Sequence, residues 1–231
     1  MIKFCVLGSG SKGNSVWVQV DNTQILLDCG FTGKKTRHAL ATINKRPHDI
    51  DAVYITHMHN DHCASKKCFK KLGTPIYHGE SVNAGDAVVE CFSLDHDLDC
   101  YGYKVSDQEG NSLLYITDTG SIPCDSLKTM IDCNAIIVEM NHDIETMLDD
   151  VCVYPDDLKI RVFDTHLSNE KAADLLSLLD WPGLKYVVPY HISKQTNSNE
   201  LVKYEAGKYL GDGVEVVMTD QKEPTVMMVM I

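Results

Sequence analysis

In the stretch Ile55–Cys63, "ITHMHNDHC", four side chains that bind metal ions or move protons, His57, His59, Asp61 and His62, fall within six residues. Such groups do not suit an apolar core unless they share a partner. Three histidines in six positions by chance is improbable when only ten occur in 231 residues. Imidazole and carboxylate together suit zinc, manganese or iron. The cluster follows "DAVYI", an apolar strand, so it sits at a strand end and on the loop leaving it. His57 and His59, two apart in an extended loop, can aim at one point, and Asp61 and His62 at a second.

A two-ion site needs more ligands, and each candidate again follows an apolar strand. His96 comes after "VECFSLD", Asp118 after "LLYIT" and His191 after "YVVPY". Asp28, after "QILL", fits the same pattern, with a turn carboxylate before Gly30 as an equal alternative. Cysteine does not compete for the role. The nine cysteines are scattered without a C-x-x-C pair, which argues against a disulfide framework and against a cysteine zinc module. They read as reduced hydrophobes.

The elements that must position these residues follow from periodicity. Strands are expected at Lys3–Leu7, Ser15–Val20, Gln24–Asp28, Ala52–Thr56, Val88–Leu94, Gly102–Val105, Ser112–Ile116, Ala135–Glu139 and Tyr186–Pro189. Helices are expected at Lys34–Asn44, from the histidine cluster through Leu72, at Asn169–Leu179 capped by Ser168, and at Glu200–Leu210 before Gly211. Val214–Thr219 and Thr225–Ile231 read as a closing pair of strands. The alternation suggests two sheets packed face to face with helices outside. "GSGSKG" (Gly8–Gly13) matches a dinucleotide fingerprint, but the alternating "SVWVQVD" that follows is a strand. A glycine turn between two strands is the better reading.

Composition bounds the rest. Hydrophobic residues make up 44% and charged residues 23%, as in ordinary globular chains. No apolar run is long enough to span a bilayer, and the amino terminus turns to glycine and serine too soon for a signal peptide, so the cytoplasm is the expected location. A net charge of −12 counts against an extended nucleic-acid-binding surface. Lys66, Lys67, Lys70 and Lys71 form a local basic patch, read as a solvated helix face.

"THMHNDH" matches the H-x-H-x-D-H signature of the metallo-β-lactamase-fold hydrolases, which the chain resembles along nearly its whole length. "VLGSGSKGNS", "ILLDCG", "ITDTG", "EMNHD", "HLSNEKA" and "YHISKQTN" look like segments of its small YycJ/WalJ-type branch. "HDLDCYGYKV" and the pair "HLS…YHIS" are also similar to RNase Z. The resemblance implies an α/β four-layer αββα sandwich of two mixed sheets, in one domain over residues 1–231. It implies that His57, His59 and His96 bind one metal, that Asp61, His62 and His191 bind the other, and that Asp118 bridges them. Asp28 becomes the buried carboxylate near the site, and His166 an acid beside the scissile phosphate. Zinc-dependent β-lactamases typically carry cysteine at the Asp118 position, and glyoxalase-type thioesterases a "PGHT" segment that "LDHDLDCYGY" lacks. Gly102 to Asp118 leaves no room for the tRNA-binding arm of RNase Z, and fewer than fifty residues from Asp118 to His166 exclude a β-CASP domain.

The expectation is therefore a hydrolase with two divalent ions, zinc or manganese with iron as a further option. Ions roughly 3.5–4 Å apart would hold hydroxide between them, Asp61 would orient it, and His166 would protonate the leaving group. Asn141, His142, Ser193 and Lys194 are candidates for the substrate mouth, with ordinary polar loops as the competitor. The first functional reading is a phosphodiesterase or nuclease on single-stranded or end-exposed nucleic acid. Its rivals are a small-molecule hydrolase of a thioester, lactone or cyclic nucleotide, and a metal-stabilised binding module.

Overall fold

The computed structural model describes residues 1–149, 152–179 and 181–230. In chain order the strands and α-helices are β1 (Ile2–Gly8), β2 (Ser15–Val20), β3 (Thr23–Leu27), α1 (Gly33–Thr42), β4 (Ala52–Tyr54), α2 (Asn60–Cys63), α3 (Lys66–Leu72) and β5 (Ile76–Tyr77). There follow β6 (Val88–Leu94), β7 (Cys100–Ser106), β8 (Ser112–Ile116), α4 (Leu127–Met130), β9 (Ala135–Glu139), α5 (Ile144–Leu148) and α6 (Asp156–Thr165). The chain closes with α7 (Asn169–Leu179), β10 (Tyr186–Tyr190), α8 (Asn199–Gly207), β11 (Glu215–Val216) and β12 (Met228–Met230).

Two six-stranded sheets result, ordered β12-β1-β2-β3-β4-β5 and β11-β10-β9-β8-β7-β6. Both are mixed: β3, β4 and β5 run parallel, as do β8 through β11, and the remaining pairs are antiparallel. The sheets face each other through a core that includes Phe4, Val18, Ile25 and Tyr54 from one and Tyr103, Tyr115, Ile137 and Val188 from the other. Outside the first sheet, Trp17, Leu26 and Val53 pack on Leu40 of α1 and Phe69 of α3. Outside the second, Leu114, Ile136 and Val187 pack on Leu175, Leu176, Leu179 and Val202 of α7 and α8. These are the four αββα layers. Every residue of β9 is buried, as a strand covered on both faces must be.

The glycine-rich turn does join β1 to β2, and α7 has its expected bounds with Ser168 Oγ accepting from the Lys171 N–H at 3.2 Å. Two expectations need correction. The closing strands do not pair with each other: β11 extends the second sheet beside β10, while β12 covers β1 at the edge of the first. Each terminal strand has an open edge to satisfy, and an apolar pattern carries no address for which one. The last residue of the expected Thr225–Ile231 strand lies outside the described residues. Helix α8 stops at Gly207 rather than running on to Leu210. No helix among the described residues is long and apolar enough to cross a membrane.

Register brings the strand ends level. Ile116 pairs with Val138 and Tyr190 with Glu139, so the residues leaving β8, β9 and β10 emerge together. Leu27 pairs with Tyr54 in the other sheet, aligning Asp28 with the start of the histidine loop. Gly30 then locks that loop down. A Cβ built there would lie 1.6 Å from the Asp61 carbonyl oxygen, and its N–H donates to Asn14 O at 2.9 Å. Gly30→Ala is expected to cost about 3 kcal/mol or more in urea unfolding, because backbone rather than a side-chain tip must move. Gly207→Ala, with nothing within 4 Å of the new methyl, should instead be neutral or stabilise α8 by up to about 1 kcal/mol.

Candidate metal centre

The C-terminal ends of strands from both sheets meet at one corner, the usual place for a site in parallel sheets. Asp28 follows β3, Thr56 and His57 follow β4, His96 follows β6, Asp118 follows β8, Glu139 ends β9 and His191 follows β10. Three of these turns are sharp. Asp28, Asp118 and His191 take left-handed backbone angles, with φ of 59°, 53° and 52°. Left-handed backbone costs an L-residue roughly 1–2 kcal/mol, and Asp and His tolerate it better than β-branched residues. The turn throws each side chain back over the strand ends.

His57 Nε2 lies 2.9 Å from His59 Nδ1, which lies 3.3 Å from His96 Nε2. Tetrahedral bonds of about 2.0–2.1 Å to one ion place ligand atoms roughly 3.3 Å apart. Asp61 Oδ2 is 3.8 Å from His62 Nε2 and 3.7 Å from His191 Nε2, forming a second nest. Asp118 lies between the two nests: its Oδ2 is 3.1 Å from His62 Nε2 of the second, and it shares a donor group with His57 of the first.

Hydrogen bonds to the far side of each ring assign which nitrogen is left for a ligand. His62 Nδ1–H donates to Asp28 at 2.7 Å and His96 Nδ1–H to the Thr165 carbonyl at 2.9 Å. His191 Nδ1 is 3.0 Å from Glu139 Oε1. His57 Nδ1–H donates to Thr56 Oγ1 at 3.0 Å, and that hydroxyl in turn donates to Asp28 at 3.0 Å. All four rings thus offer Nε2. His59 is reversed: its Nε2 faces Asp97 at 3.3 Å and Nδ1 points to His57. Buried His191 Nε2 has no hydrogen-bond partner, an orphan that a cation would satisfy. The donor set therefore fits two divalent cations.

Asp28 is a fully buried carboxylate that also accepts from the Thr56 N–H at 2.8 Å and the Tyr115 hydroxyl at 2.8 Å, so the simple turn reading does not hold. Glu139 was not anticipated. Its Oε1 is 2.7 Å from His166 Nδ1 and 3.0 Å from His191 Nδ1, and its Oε2 accepts from the Thr119 and Leu167 N–H groups. The signal was available in a glutamate closing an otherwise apolar buried strand, "AIIVE". Asp97 was also missed; it accepts from Arg161 at 2.6 Å and approaches His59 and His96.

Electrostatics divide the rings into two kinds. Burial pushes His57 down to about 3, and burial also lowers His96. Burial opposes protonation of His62 too, but the Asp118 and Asp28 carboxylates outweigh it and lift the ring to about 10. His191 is raised in the same sense by Asp118, Asp61 and Glu139 against its burial. Burial would raise Glu139, yet His166 holds it down at about 2, and in return Glu139 overcomes burial to raise His166.

The remaining candidates separate. Asn141, Ser193 and Lys194 line a cavity of about 510 Å³ together with His166 and His191. It adjoins a smaller one of about 200 Å³ over the centre, lined by His59, Asp61, His96, Asp118 and Arg161. His142 does not reach the mouth. It is 1% exposed, packed edge-on against Phe163 at 5.1 Å, and burial lowers it to about 4.

Two six-stranded sheets with this corner constellation are the architecture of the metallo-β-lactamase fold. Among solved structures, the metallo-β-lactamase fold protein YhfI from Bacillus subtilis is similar with a TM-score of 0.74 at 17% identity, over 96% of this chain and 98% of that one. The chain is 28% identical to "Exodeoxyribonuclease WalJ" of Streptococcus pneumoniae, over 96% of this chain and 95% of that protein. It is 29% identical to "Exodeoxyribonuclease YycJ" of Bacillus anthracis, over 97% of each. A family profile described as "Anti-Pycsar protein Apyc1" matches residues 3–65. The fold is thus the one the motifs implied, and the likeness to the YycJ/WalJ-type branch extends over nearly the whole chain.

A cation entering the second nest has to displace the protons that His62 and His191 retain at neutral pH. Metal affinity is therefore expected to rise with pH up to about 10, with net proton release that calorimetry in buffers of different ionisation enthalpy would read. The metal-free protein has the opposite dependence in that range. A ring raised from 6.5 to about 10 stabilises the fold fully below 6.5 and loses that contribution as pH climbs to about 10, so the metal-free melting temperature should fall across this window.

Proposed function

We propose that this protein is a dinuclear metal-dependent phosphodiesterase, a nuclease acting on single-stranded or end-exposed nucleic acid. The observation that carries the reading is the pair of nests sharing Asp118, with His166 locked beside them by Glu139. The names of the two bacterial relatives supply the substrate class. Zinc and manganese are the preferred ions and iron is compatible, since imidazole and carboxylate serve all three. Residues 1–231 act as one domain, and nine unpaired cysteines suit a reducing cytoplasm.

His57, His59 and His96 would hold one cation, Asp61, His62 and His191 the other, with Asp118 between them. Bound cations would supply a water-derived nucleophile near neutral pH and stabilise charge on the attacked phosphoryl group. Asp61, partly buried and held below the usual carboxylate range by His191 and His62 against its burial, would orient that nucleophile. His166, kept protonated by Glu139, gives its proton to the departing oxygen. Asn141 fixes the His191 turn, its Nδ2–H donating to the His191 carbonyl at 3.0 Å. Burial of the nests at strand ends holds these groups still, so little reorganisation accompanies the reaction.

Incubating the protein with zinc or manganese and end-labelled DNA and RNA, bis(p-nitrophenyl) phosphate and a thioester tests the reading. Phosphodiester cleavage is expected, and thioester cleavage alone would overturn it in favour of a small-molecule hydrolase. Asp118→Ala should remain folded by circular dichroism while losing activity and part of its metal content. His166→Ala should lower kcat on an oligonucleotide by roughly 10²-fold or more. It should affect bis(p-nitrophenyl) phosphate far less, because a nitrophenolate leaves without a proton.

A further inference from the structure

The cavity of about 510 Å³ shares Ser11, Val162, His166 and His191 with the opening over the metal centre, so the two are continuous. Four lysines line it, Lys12, Lys35, Lys194 and Lys222, in a chain of net charge −12. Among the described residues, salt bridges engage Arg46, Arg161 and Lys208, whereas these four lysines lie in no carboxylate salt bridge. Like charges gathered around one opening repel, and the arrangement becomes favourable when an anion lies among them. The nearby Asp220 accepts from the Lys222 and Glu223 N–H groups and offsets part of the charge of Lys35, Lys194 and Lys222, leaving four cations around one carboxylate.

The opening is built rather than incidental. Lys35 is fixed, its Nζ donating to the Gln221 carbonyl at 3.2 Å and lying 3.8 Å from the Phe31 ring centroid. The loop carrying Ser11 and Lys12 is pinned by Gly10 and Gly13, where an added Cβ would meet Gln221 at 2.7 Å and Phe31 at 2.3 Å. Gln221 is 8% exposed and lines the cavity, yet its Nε2 has no acceptor, leaving a donor for a ligand oxygen. Tyr154 adds an aromatic face to the same lining. Cations that follow a backbone beside an aromatic platform are how proteins hold unpaired strands.

We infer that this cavity seats a single-stranded DNA end, its phosphates among Lys12, Lys35, Lys194 and Lys222 and one base against Tyr154. The inference rests on the phosphodiesterase reading and names the surface that feeds substrate to His166 and Asp118. It also gives the "GSGSKG" turn a role: the loop is a wall for phosphates, presented by side chains rather than by a helix end.

The test is fluorescence anisotropy of the metal-loaded full chain with a fluorescein-labelled, cleavage-resistant phosphorothioate dT octamer across NaCl concentrations. Combining Lys12→Ala, Lys194→Ala and Lys222→Ala, all at exposed positions, should weaken binding roughly tenfold or more. It should also flatten the slope of log K against log salt by about 2, at ~0.7 per lost contact. The triple Lys→Arg counterpart should keep both. Tyr154→Leu should weaken binding with the slope unchanged. Unaltered affinity and slope in the alanine variant would overturn the inference. Wild-type turnover of bis(p-nitrophenyl) phosphate keeps the two claims apart. Turnover with lysine-independent octamer binding sinks the cavity alone, whereas lysine-dependent binding without any diester turnover sustains the cavity and sinks the catalytic reading.

Discussion

Three carboxylates with almost no exposure, Asp28, Asp118 and Glu139, set the terms for everything at the corner where the sheets meet. Removing a carboxylate from water costs several kcal/mol unless charges and hydrogen-bond donors replace the lost solvent. Each of the three meets that demand with imidazole. Asp28 takes His62, Asp118 lies against His62 and His191, and Glu139 takes His166 and His191. The same contacts that make the acids tolerable orient the rings, so burial and catalytic geometry have one origin. Without cations, protons on His62, His166 and His191 offset much of the carboxylate charge. Bound cations would replace the Nε2 protons of His62 and His191, leaving the Nδ1–H donors and the carboxylates in place, so a site this deep could exchange one kind of positive charge for the other.

The scaffold contributes by bringing strand ends to one level and then turning sharply. Left-handed backbone at Asp28, Asp118 and His191 is strain concentrated at functional positions. It persists because flanking strands are buried on both faces and cannot shift to relieve it. Asn14 shows how tightly the parts are joined: its backbone N–H donates to Asp61 O at 2.8 Å and its Nδ2 lies 2.9 Å from His62 Nε2. The β1–β2 turn therefore supports the histidine loop as well as forming a cavity wall.

Much of this was legible in the sequence because the governing patterns are local. The "THMHNDH" spacing, the apolar runs before His96, Asp118 and His191, and the bounds of β2, β6, β8, β9 and α7 are written within short windows. What could not be read depends on partners far along the chain. Strand β12 belongs beside β1, more than two hundred residues away, and nothing in "VMMVM" specifies that edge. Helix α6 was missed because it packs only one side lightly, leaving Ile160 62% exposed and blurring the stripe. Glu139 was visible as a carboxylate closing an apolar run, but its clamp on two histidines depends on partners 27 and 52 residues further on.

Net charge bounds only extended surfaces, because a sum over the chain says nothing about the field at one opening. Residues 33–72 carry nine lysines and arginines against three acidic side chains, leaving twelve basic and thirty acidic elsewhere. Of these nine only Lys35 reaches the cavity mouth, where it joins Lys12, Lys194 and Lys222 from other parts of the chain. At physiological salt the screening length is about 8 Å, so an approaching phosphate feels the nearest few charges and little of the distant acidic surface. An acidic surface of this kind disfavours indiscriminate adhesion to nucleic acid, while a short cationic opening beside the centre still admits a strand end. The same polarity that argues against an extended nucleic-acid surface is thus compatible with an enzyme that works only where a strand can enter.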